Sequence, residues 1–379
     1  NGNNTTLSYF NATNNPDLFC IEVDDVAYSD TTWPDIDAGA SYSLDCRPST
    51  SIPDSAFEQA LIDLGHDSGV IDGVVTTANI SSLTTLNVGE KGISSLTGIE
   101  DFTALTTLWC PRNNLTSLNV SSNTALTELW CDNNDLTSLD VSSNTALTGL
   151  YCRINDLTSL DVSSNTTLTR LDCGDNDLTS LDASNNTALT FLVCDSNSLP
   201  SLNVSSNTAL TTLFCYSNSL SSLDVSSNTA LTSLSCGYNS LTSLYVSSNT
   251  ALTLLECGGN YLTSLDVSSN TALTTLYCRN NDLTSLDVSS NTSLTELWCD
   301  NNDLTSLDVS SNTSLTQLYC QSNSLTSLDV SGSAALTELY CSSNSLTSLY
   351  VKNGNNTNFT QFNATNNPDL SCIEVDNVA

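Results

Sequence analysis

Residues 126–146 read LTELWCDNNDLTSLDVSSNTA, and this stretch decides the fold. It contains the pattern LxxLxCxxNx, residues 126–135, followed by LxxLxVxxNxx, residues 136–146, so one coil joins two nested half-repeats. The alternation of side chains around Leu129, Trp130 and Cys131 is typical of a short strand. Each coil is too short to bury its own leucines, so we expect neighbouring coils to stack at roughly 4.8 Å and cover one another.

One cysteine occurs in each coil, and it recurs every 21 positions without slippage through twelve coils. These cysteines are Cys110, Cys131, Cys152, Cys173, Cys194, Cys215, Cys236, Cys257, Cys278, Cys299, Cys320 and Cys341. Since they alternate with outward side chains, we expect them to point inward as small apolar groups. Their parallel stacking makes disulfides unfavourable, and no His or acidic residue accompanies them, which disfavours a thiol metal array or a redox store.

An Asn closes the first half of all twelve coils, from Asn113 to Asn344. An inward Asn can bond the backbone groups of a tight turn, which would otherwise be buried and unpaired. With these features the chain resembles the bacterial leucine-rich-repeat proteins of the 21-residue class with nested half-repeats, in which a cysteine ladder also occurs. The resemblance covers about residues 83–351. It implies a β-rich solenoid, a right-handed superhelix with a continuous parallel sheet and a short helical N-terminal cap, but it says little about the ligand.

The chain is strongly acidic, with 41 Asp and Glu residues against 7 Lys and Arg residues and a formal net charge of −34. Phosphates would be repelled, so we expect neither nucleic acid nor an anionic membrane as a partner. No run of about 18 apolar residues occurs, so no membrane-inserted segment is predicted. The acids sit in identical repeats and His66 is the only histidine, so we expect no enzyme and, calcium aside, no cofactor.

The distribution of the repeats predicts four regions. Residues 83–351 are the solenoid, with a slightly longer first coil over residues 83–104 and then twelve coils of the regular period. Residues 47–82 form a helical cap and connector, in which Asp54 is the N-cap, Gly65 ends the helix, and one apolar stripe consists of Phe57, Ala60, Leu61 and Leu64. Residues 1–46 are predicted to be a cap like the end of a preceding array, and residues 352–379 the start of a second cap resembling residues 1–27.

The two ends of the chain match at a constant offset of 352 positions, with residues 1–24 corresponding to residues 353–376. Cys20 and Cys46 lie outside the ladder register, and we predict a disulfide between them that clamps the terminal cap. Cys372 corresponds to Cys20, and a partner at the spacing that separates Cys20 from Cys46 would lie beyond Ala379. The simplest interpretation is one period of a longer tandem array, and a single block with a duplicated cap is the alternative.

We expect the residue before each ladder cysteine to point outward, and eight of these twelve residues are aromatic. They are Trp109, Trp130, Tyr151, Phe214, Tyr277, Trp298, Tyr319 and Tyr340. In leucine-rich-repeat proteins this column lies on the sheet face that usually binds ligands, so we expect it to stack on sugar rings or to anchor a protein partner. The alternative is that aromatic residues simply favour strands and shield one another.

The matching column of the second half-repeat is acidic and consists of Asp140, Asp161, Asp182, Asp224, Asp266, Asp287, Asp308 and Asp329. Carboxylates stacked near 4.8 Å repel by roughly 1 kcal/mol per pair in water, so something must offset the repulsion. Bonds to the Ser-Ser turn that follows are one interpretation, and calcium or magnesium along the column is the other. A calcium loop of the kind found in related caps looks degenerate at residues 67–73, because Ser68 and Val70 occupy two of the needed positions.

The sequence therefore predicts a non-enzymatic bacterial protein that is secreted or displayed on the cell surface and acts in adhesion or as a structural filament. The expected partners are a protein or a glycan on a surface, or copies of the chain itself in a fibre. A dedicated glycan-binding module that uses the aromatic column is the alternative function. A glycan array would separate the two hypotheses.

Overall fold

A computed structural model of the chain describes residues 4–43, 46 and 48–377. Most of these residues form a parallel β-solenoid whose coils repeat about every 21 residues. This confirms the predicted leucine-rich-repeat solenoid. The division of the chain into four regions stays a prediction.

The secondary structure consists of short elements. The α-helices are α1 (Val26–Thr32), α2 (Ser55–Asp63) and α3 (Thr77–Ile80), and the 3-10 helices are Asn4–Thr6, Ile99–Asp101 and Asn356–Asn358. The strands that precede the solenoid are β1 (Asn11–Ala12), β2 (Cys20–Glu22), β3 (Asp35–Ile36), β4 (Ser41–Ser43), β5 (Ser49–Ser51) and β6 (Val74–Thr76). The strands of the solenoid are β7 (Thr85–Asn87), β8 (Thr107–Trp109), β9 (Glu128–Trp130), β10 (Gly149–Tyr151), β11 (Arg170–Asp172), β12 (Phe191–Val193), β13 (Thr212–Phe214), β14 (Ser233–Ser235), β15 (Leu254–Glu256), β16 (Thr275–Tyr277), β17 (Glu296–Trp298), β18 (Gln317–Tyr319), β19 (Ser327–Asp329), β20 (Glu338–Tyr340), β21 (Ser348–Tyr350), β22 (Gln361–Asn363) and β23 (Cys372–Glu374).

One sheet of 14 parallel strands runs the length of the solenoid, from β7 through β18 to β20 and β22. Its strands are three residues long, and in the ladder coils a central leucine points inward and stacks on the leucine of the next coil, as Leu129 does on Leu150. The continuous sheet is the one that the LxxLxC segments predicted. A second sheet of three strands, β19, β21 and β23, runs along the second half-repeat at the C-terminal end, and the sequence did not predict it.

The twelve ladder cysteines are all buried and free, which confirms their inward orientation. The asparagines of the first half-repeat hold the turns between coils as expected. Asn134, for example, donates its Nδ2 to the carbonyl oxygens of Cys131 at 3.0 Å and Cys110 at 3.2 Å. Its Oδ1 accepts the N–H of Leu115 at 3.1 Å. Each such Asn therefore ties two neighbouring coils together.

Helix α2 covers the first coil, as a cap should. Asp54 is its N-cap, with one carboxylate oxygen accepting the N–H groups of Ala56 and Phe57 and the other accepting two N–H groups of the first coil. The predicted apolar stripe is wrong at Leu64, which is 43% exposed. The helix ends at Asp63, so Leu64 is its C-cap and no longer follows the buried face, and Gly65 then turns the chain at φ 78°.

The segment between α2 and β6 is held by the helix itself. The carboxylate of Glu58, which is buried, accepts the N–H of Asp72 at 2.6 Å and that of Gly73 at 2.9 Å. The loop that the sequence compared with a degenerate calcium loop is therefore closed by a protein carboxylate bound to its backbone.

The N-terminal region builds a smaller stack with a core of its own. Strand β3 pairs with β1 and β4 pairs with β2, both in parallel. Val23, Trp33 and Tyr42 form its buried cluster. Cys20 and Cys46 are joined in a disulfide, and their Cα atoms lie 5.5 Å apart.

Candidate binding face

The outward face of the 14-stranded sheet carries the aromatic column in two groups. We call Trp109, Trp130 and Tyr151 the N-terminal ladder, whose consecutive ring centroids lie 4.4 Å and 3.5 Å apart. The C-terminal ladder is Tyr277, Trp298, Tyr319 and Tyr340, with consecutive centroids 4.3, 4.9 and 4.6 Å apart. Phe214 lies between the two ladders and is half-buried.

The rings of each ladder cover one another. Trp109, at the end of its ladder, is 37% exposed, Tyr151 is 9% exposed, and the other ladder rings are half-buried. The reason is geometric, because parallel strands lie about 4.8 Å apart and this spacing suits offset ring stacking. The aromatic side chains therefore point outward, as expected, but most of them are less exposed than an open column of rings would be. Ring edges face the solvent along each ladder, and a ring face is open only at the ladder ends.

Acidic residues of the preceding column brace the C-terminal ladder. The hydroxyl of Tyr319 donates to Glu338 at 2.6 Å, and that of Tyr277 donates to Glu296. Burial and these hydrogen bonds raise the pKa of both tyrosines, which stay protonated at neutral pH. The guanidinium of Arg279 lies 5.1 Å from the ring centroid of Trp298, at a distance suited to a cation–π contact.

A cleft of about 430 Å³ opens beside the N-terminal ladder. Trp109 and Trp130 line it together with Arg112, Glu90 and Asp132. The carboxylate oxygen Oδ1 of Asp132 is buried and has no hydrogen-bond partner, and burial raises the pKa of this group. Arg112 is paired with Glu90 at 2.7 Å instead. The Oδ1 atom of Asp132 is thus a hydrogen-bond acceptor without a donor among the described residues, in a side chain that lines an aromatic cleft.

A charged cluster separates the two ladders. Arg153 donates both terminal nitrogens to the buried Asp195, at 2.8 and 2.9 Å, and also pairs with Asp175. Asp172, which occupies an aromatic-column position, lies 3.9 Å from the same guanidinium. Burial raises the pKa of Asp172 to about 6, despite the opposing effects of a backbone N–H and of Arg153.

Reasoning from the sequence missed this cluster. A signal for it exists, because five of the seven basic residues are arginines and four of these fall in or directly after the strands of the sheet. They are Arg112, Arg153, Arg170 and Arg279. A scarce residue type that concentrates on one face of an acidic solenoid marks that face as distinct.

The acidic column lies on the second half-repeat, away from the sheet. Each of its carboxylates accepts the N–H of the serine two residues on, at 2.8–2.9 Å, as Asp140 does from Ser142. The hydroxyl and the N–H of that serine lower the pKa of Asp140, and Asp161 and Asp182 behave alike. This geometry is the one expected of local bonding to the Ser-Ser turn. Among residues 4–43, 46 and 48–377, no group of three or more His, Cys, Asp or Glu side chains could hold a metal ion. A cation along the column stays a prediction.

In the part of the chain that the structure describes, no helix has the length and hydropathy needed to cross a membrane.

Comparison with known proteins places the chain in a family. The family model described as leucine-rich repeats (2 copies) matches residues 271–312. No curated protein matches the chain. The functional domain of InlJ from Listeria monocytogenes, a solved structure described as including a cysteine ladder, is 37% identical with a TM-score of 0.74, and the match covers 88% of this chain and 77% of that one.

Two further solved structures share the fold at lower identity. An internalin, InlF, from Listeria monocytogenes is 23% identical with a TM-score of 0.71, over 85% of this chain and 95% of that one. A leucine-rich-repeat protein of Leptospira interrogans is 21% identical with a TM-score of 0.65, over 79% and 85%. The identity and coverage of the first match, and the buried cysteine of every ladder coil, lead to one conclusion: the chain belongs to the leucine-rich-repeat proteins, in the internalin-like group with a cysteine ladder.

Proposed function

We propose that the chain is a secreted or surface-displayed bacterial module that binds a protein partner through the outward face of its 14-stranded sheet, in an adhesin-like role. The observation that carries the proposal is the pairing of the N-terminal ladder with the unpartnered carboxylate oxygen of Asp132. Aromatic residues at a rigid surface supply contact area at a low cost in conformational entropy. The internalin-like neighbours support a binding scaffold, since repeat solenoids use their extended faces for binding.

The charge of the chain defines the partner further. With a formal net charge of −34, the module attracts basic surfaces and repels acidic ones. A lysine or arginine of the partner would pair with the half-buried carboxylate of Asp132, which lines the cleft, and lie against Trp109 at the same time. The partner is therefore a protein with a basic and apolar contact patch.

A glycan is the alternative ligand for the same column. Sugar rings stack on aromatic faces, and the faces inside each ladder are already covered by neighbouring rings 3.5–4.9 Å away. Open faces remain only at ladder ends such as Trp109. This arrangement favours a protein over an extended glycan.

The same unit also serves, in this proposal, as one period of a longer fibre of solenoid blocks. The support is that residues 1–24 and 353–376 match at a constant offset of 352. Sequencing the parent gene tests this part directly, because a fibre of covalent blocks requires further copies of the unit in the same reading frame.

The binding proposal is tested with a variant that carries Trp109→Ala, Trp130→Ala and Trp298→Ala. A matched control carries Tyr245→Ala, Tyr261→Ala and Tyr350→Ala, three exposed tyrosines that lie outside the aromatic column. Both variants and the parent are probed on an array of extracellular proteins and on a glycan array. We expect the tryptophan variant alone to lose protein binding, by about tenfold or more, with its melting temperature nearly unchanged. If it binds every partner of the parent equally well, the aromatic face is not the site.

A further inference from the structure

The two ends of the described chain carry the same coil. The N-terminal copy is residues 4–24 and the C-terminal copy is residues 356–376, each residue lying 352 positions after its counterpart. Both begin with a 3-10 helix and both contain a Cys-Ile-Glu strand, β2 or β23. Asn15 donates Nδ2 to Ala12 O at 2.9 Å, and Asn367 donates Nδ2 to Ala364 O at 3.0 Å. The two copies therefore fold alike.

A cover lies on the N-terminal copy. We call residues 25–46 the cover segment, of which α1, β3 and β4 are described. Strands β3 and β4 extend the copy in parallel register, and the ring of Trp33 lies 5.3 Å from that of Phe10. The indole N–H of Trp33 donates to the carbonyl oxygen of Leu7 at 2.7 Å. Trp33 is almost fully buried, so the cover segment supplies the packing that closes this coil.

Among the residues that the structure describes, no segment covers the C-terminal copy in this way. Within the described part of the chain, β22 pairs with β20 and β23 pairs with β21, and the other edge of each of these two strands is unpaired there. Phe362 is 45% exposed and Ile373 is 42% exposed, whereas their counterparts in the N-terminal copy are half-buried. A cavity of about 510 Å³ opens over Phe359, Phe362 and Ile373. No segment among the residues that the structure describes fills it.

We propose that this bare face is an acceptor site for a cover segment, with the sequence of residues 25–46, from another copy of the same repeating unit. The inference deepens the fibre part of the proposed function and is independent of what the sheet face binds. Free strand edges recruit added strands, and apolar side chains beside them select which strand fits.

Three contacts of the cover segment have a counterpart at the C-terminal copy. Phe362 replaces Phe10 as the partner of the Trp33 ring, and the carbonyl oxygen of Phe359 replaces that of Leu7 as the acceptor of its indole N–H. The N–H groups of Asn14 and Asn15 donate to Asp37 at 3.1 and 2.6 Å, and the same Asn-Asn pair recurs as residues 366–367. The acceptor therefore specifies this segment rather than any apolar peptide.

The two copies also correspond in one cysteine. Cys20 is bonded to Cys46 of the cover segment, and its counterpart Cys372 is exposed and free. A cover segment seated on the C-terminal copy brings its Cys46 to Cys372. If that Cys46 arrives as a mixed disulfide with glutathione, the Cys372 thiolate attacks its sulfur, a new protein–peptide disulfide forms, and glutathione leaves as the thiolate and takes up a proton.

The test uses the full, unreduced chain and a synthetic peptide of residues 25–48 whose Cys46 carries glutathione. The chain's own Cys20–Cys46 bond keeps its N-terminal copy occupied, and the ladder thiols are buried, so Cys372 is the reactive thiol among the described residues. Mass spectrometry follows adduct formation over time. We expect the peptide to react on the order of tenfold faster than a control peptide with Trp33→Ala and Tyr42→Ala, because binding raises the local concentration of its disulfide.

Variants of the chain locate the site. Phe362→Thr should remove the rate advantage, and the matched control Phe19→Thr, at an exposed phenylalanine of the other copy, should keep it. A dye-labelled peptide with Cys46→Ser should bind the Cys372→Ser chain, as measured by fluorescence anisotropy, and lose affinity about tenfold with Phe362→Thr. Equal reaction rates for the two peptides, or binding that ignores Phe362, would overturn the proposal. Oligomers of the chain that depend on Phe362 but are not dissociated by the peptide would also overturn the proposal. They would show that a different surface of a second chain binds this face.

Discussion

The two halves of each coil begin with the same LxxL motif and end in different structures. The half that contains cysteine forms the 14-stranded sheet, and its Asn uses both ends of the side-chain amide. The half that contains valine is mostly turns, and in ten coils its buried Asn donates through Nδ2 while Oδ1 has no partner. These ten are Asn123, Asn144, Asn165, Asn186, Asn207, Asn228, Asn249, Asn270, Asn291 and Asn312. A repeat unit with nearly symmetrical sequence therefore divides its stabilising contacts unequally.

The pKa values of the carboxylates also differ between the two halves of the coil. On the sheet half, burial raises the pKa of Asp132, Asp172 and Asp300. On the turn half, a serine hydroxyl and N–H lower the pKa of Asp140 and Asp182. The strands use their N–H groups within the sheet, whereas the turns have N–H groups to spare for a side chain. The turn half therefore accommodates charge more readily than the sheet half.

Removing an inward leucine is the strongest test of this asymmetry. Leu213→Ala, in the sheet half, should lower the free energy of unfolding by about 2–5 kcal/mol because it leaves a cavity in a fully packed core. Leu223→Ala, at a turn-half position that is 7% exposed, should cost less because solvent and neighbouring side chains can relax into the space. Urea unfolding followed by circular dichroism measures both losses. Equal losses would mean that the two halves pack alike.

Substitutions in the two rows of Asn should lower the free energy of unfolding by a smaller amount. Asn239→Ala leaves the buried N–H of Leu220 without its acceptor and removes one of the two Asn donors from each of the carbonyls of Cys215 and Cys236, and it should cost about 2–3 kcal/mol. Asn249→Ala removes only two donated bonds, to Val225 and Asn228, and should cost about 1–2 kcal/mol. Denaturant unfolding of the two variants measures the difference. A reversed order would show that the unpaired Oδ1 atoms are satisfied by groups such as bound water.

The carboxylates can be tested by pH. The pKa of Asp172 is raised from 3.8 to about 6 in the folded state, so the folded chain binds this proton more tightly and loses stability as the pH rises through that window. Asp172→Asn should therefore stabilise the chain by about 2 kcal/mol at pH 7 and have little effect near pH 4. Asp182→Asn should show the opposite sign, because the pKa of Asp182 is lowered and its stabilising effect is present above 3.8. Melting temperatures of both variants, measured across this pH range, test the two predictions. Identical pH profiles for the two variants would contradict the opposite directions of their pKa shifts.

The smallest expected effect concerns cations at the acidic column. Because each carboxylate is already bonded to its serine, we expect the melting temperature to be unchanged by a chelator and by millimolar calcium. A rise of several degrees with calcium that disappears in the Asp161→Asn, Asp182→Asn double variant would instead establish the column as a cation site.

The sequence predicts those features that the regular period of the coils dictates. The sheet, the inward cysteines and the first row of Asn follow because each coil repeats the same contact with its neighbour. The period does not predict contacts between residues that do not repeat, such as Arg153 with Asp195, which are 42 residues and two coils apart. The burial of Tyr151 belongs to the same class, because it depends on which ring the neighbouring coil supplies. The sequence does not predict the exposure of Leu64, because the position at which the helix ends, and not the spacing of the apolar residues, decides where this side chain points.

The ladder cysteines have a consequence for the durability of the chain. Burial raises the pKa of these thiols, so in the folded state they are protonated, shielded and unreactive. Once a coil opens in an oxidising medium, its thiol can be captured in a non-native disulfide, and the coil cannot close again in register. Survival of the chain in such a medium is then governed by how often its coils open rather than by the equilibrium between the folded and unfolded states.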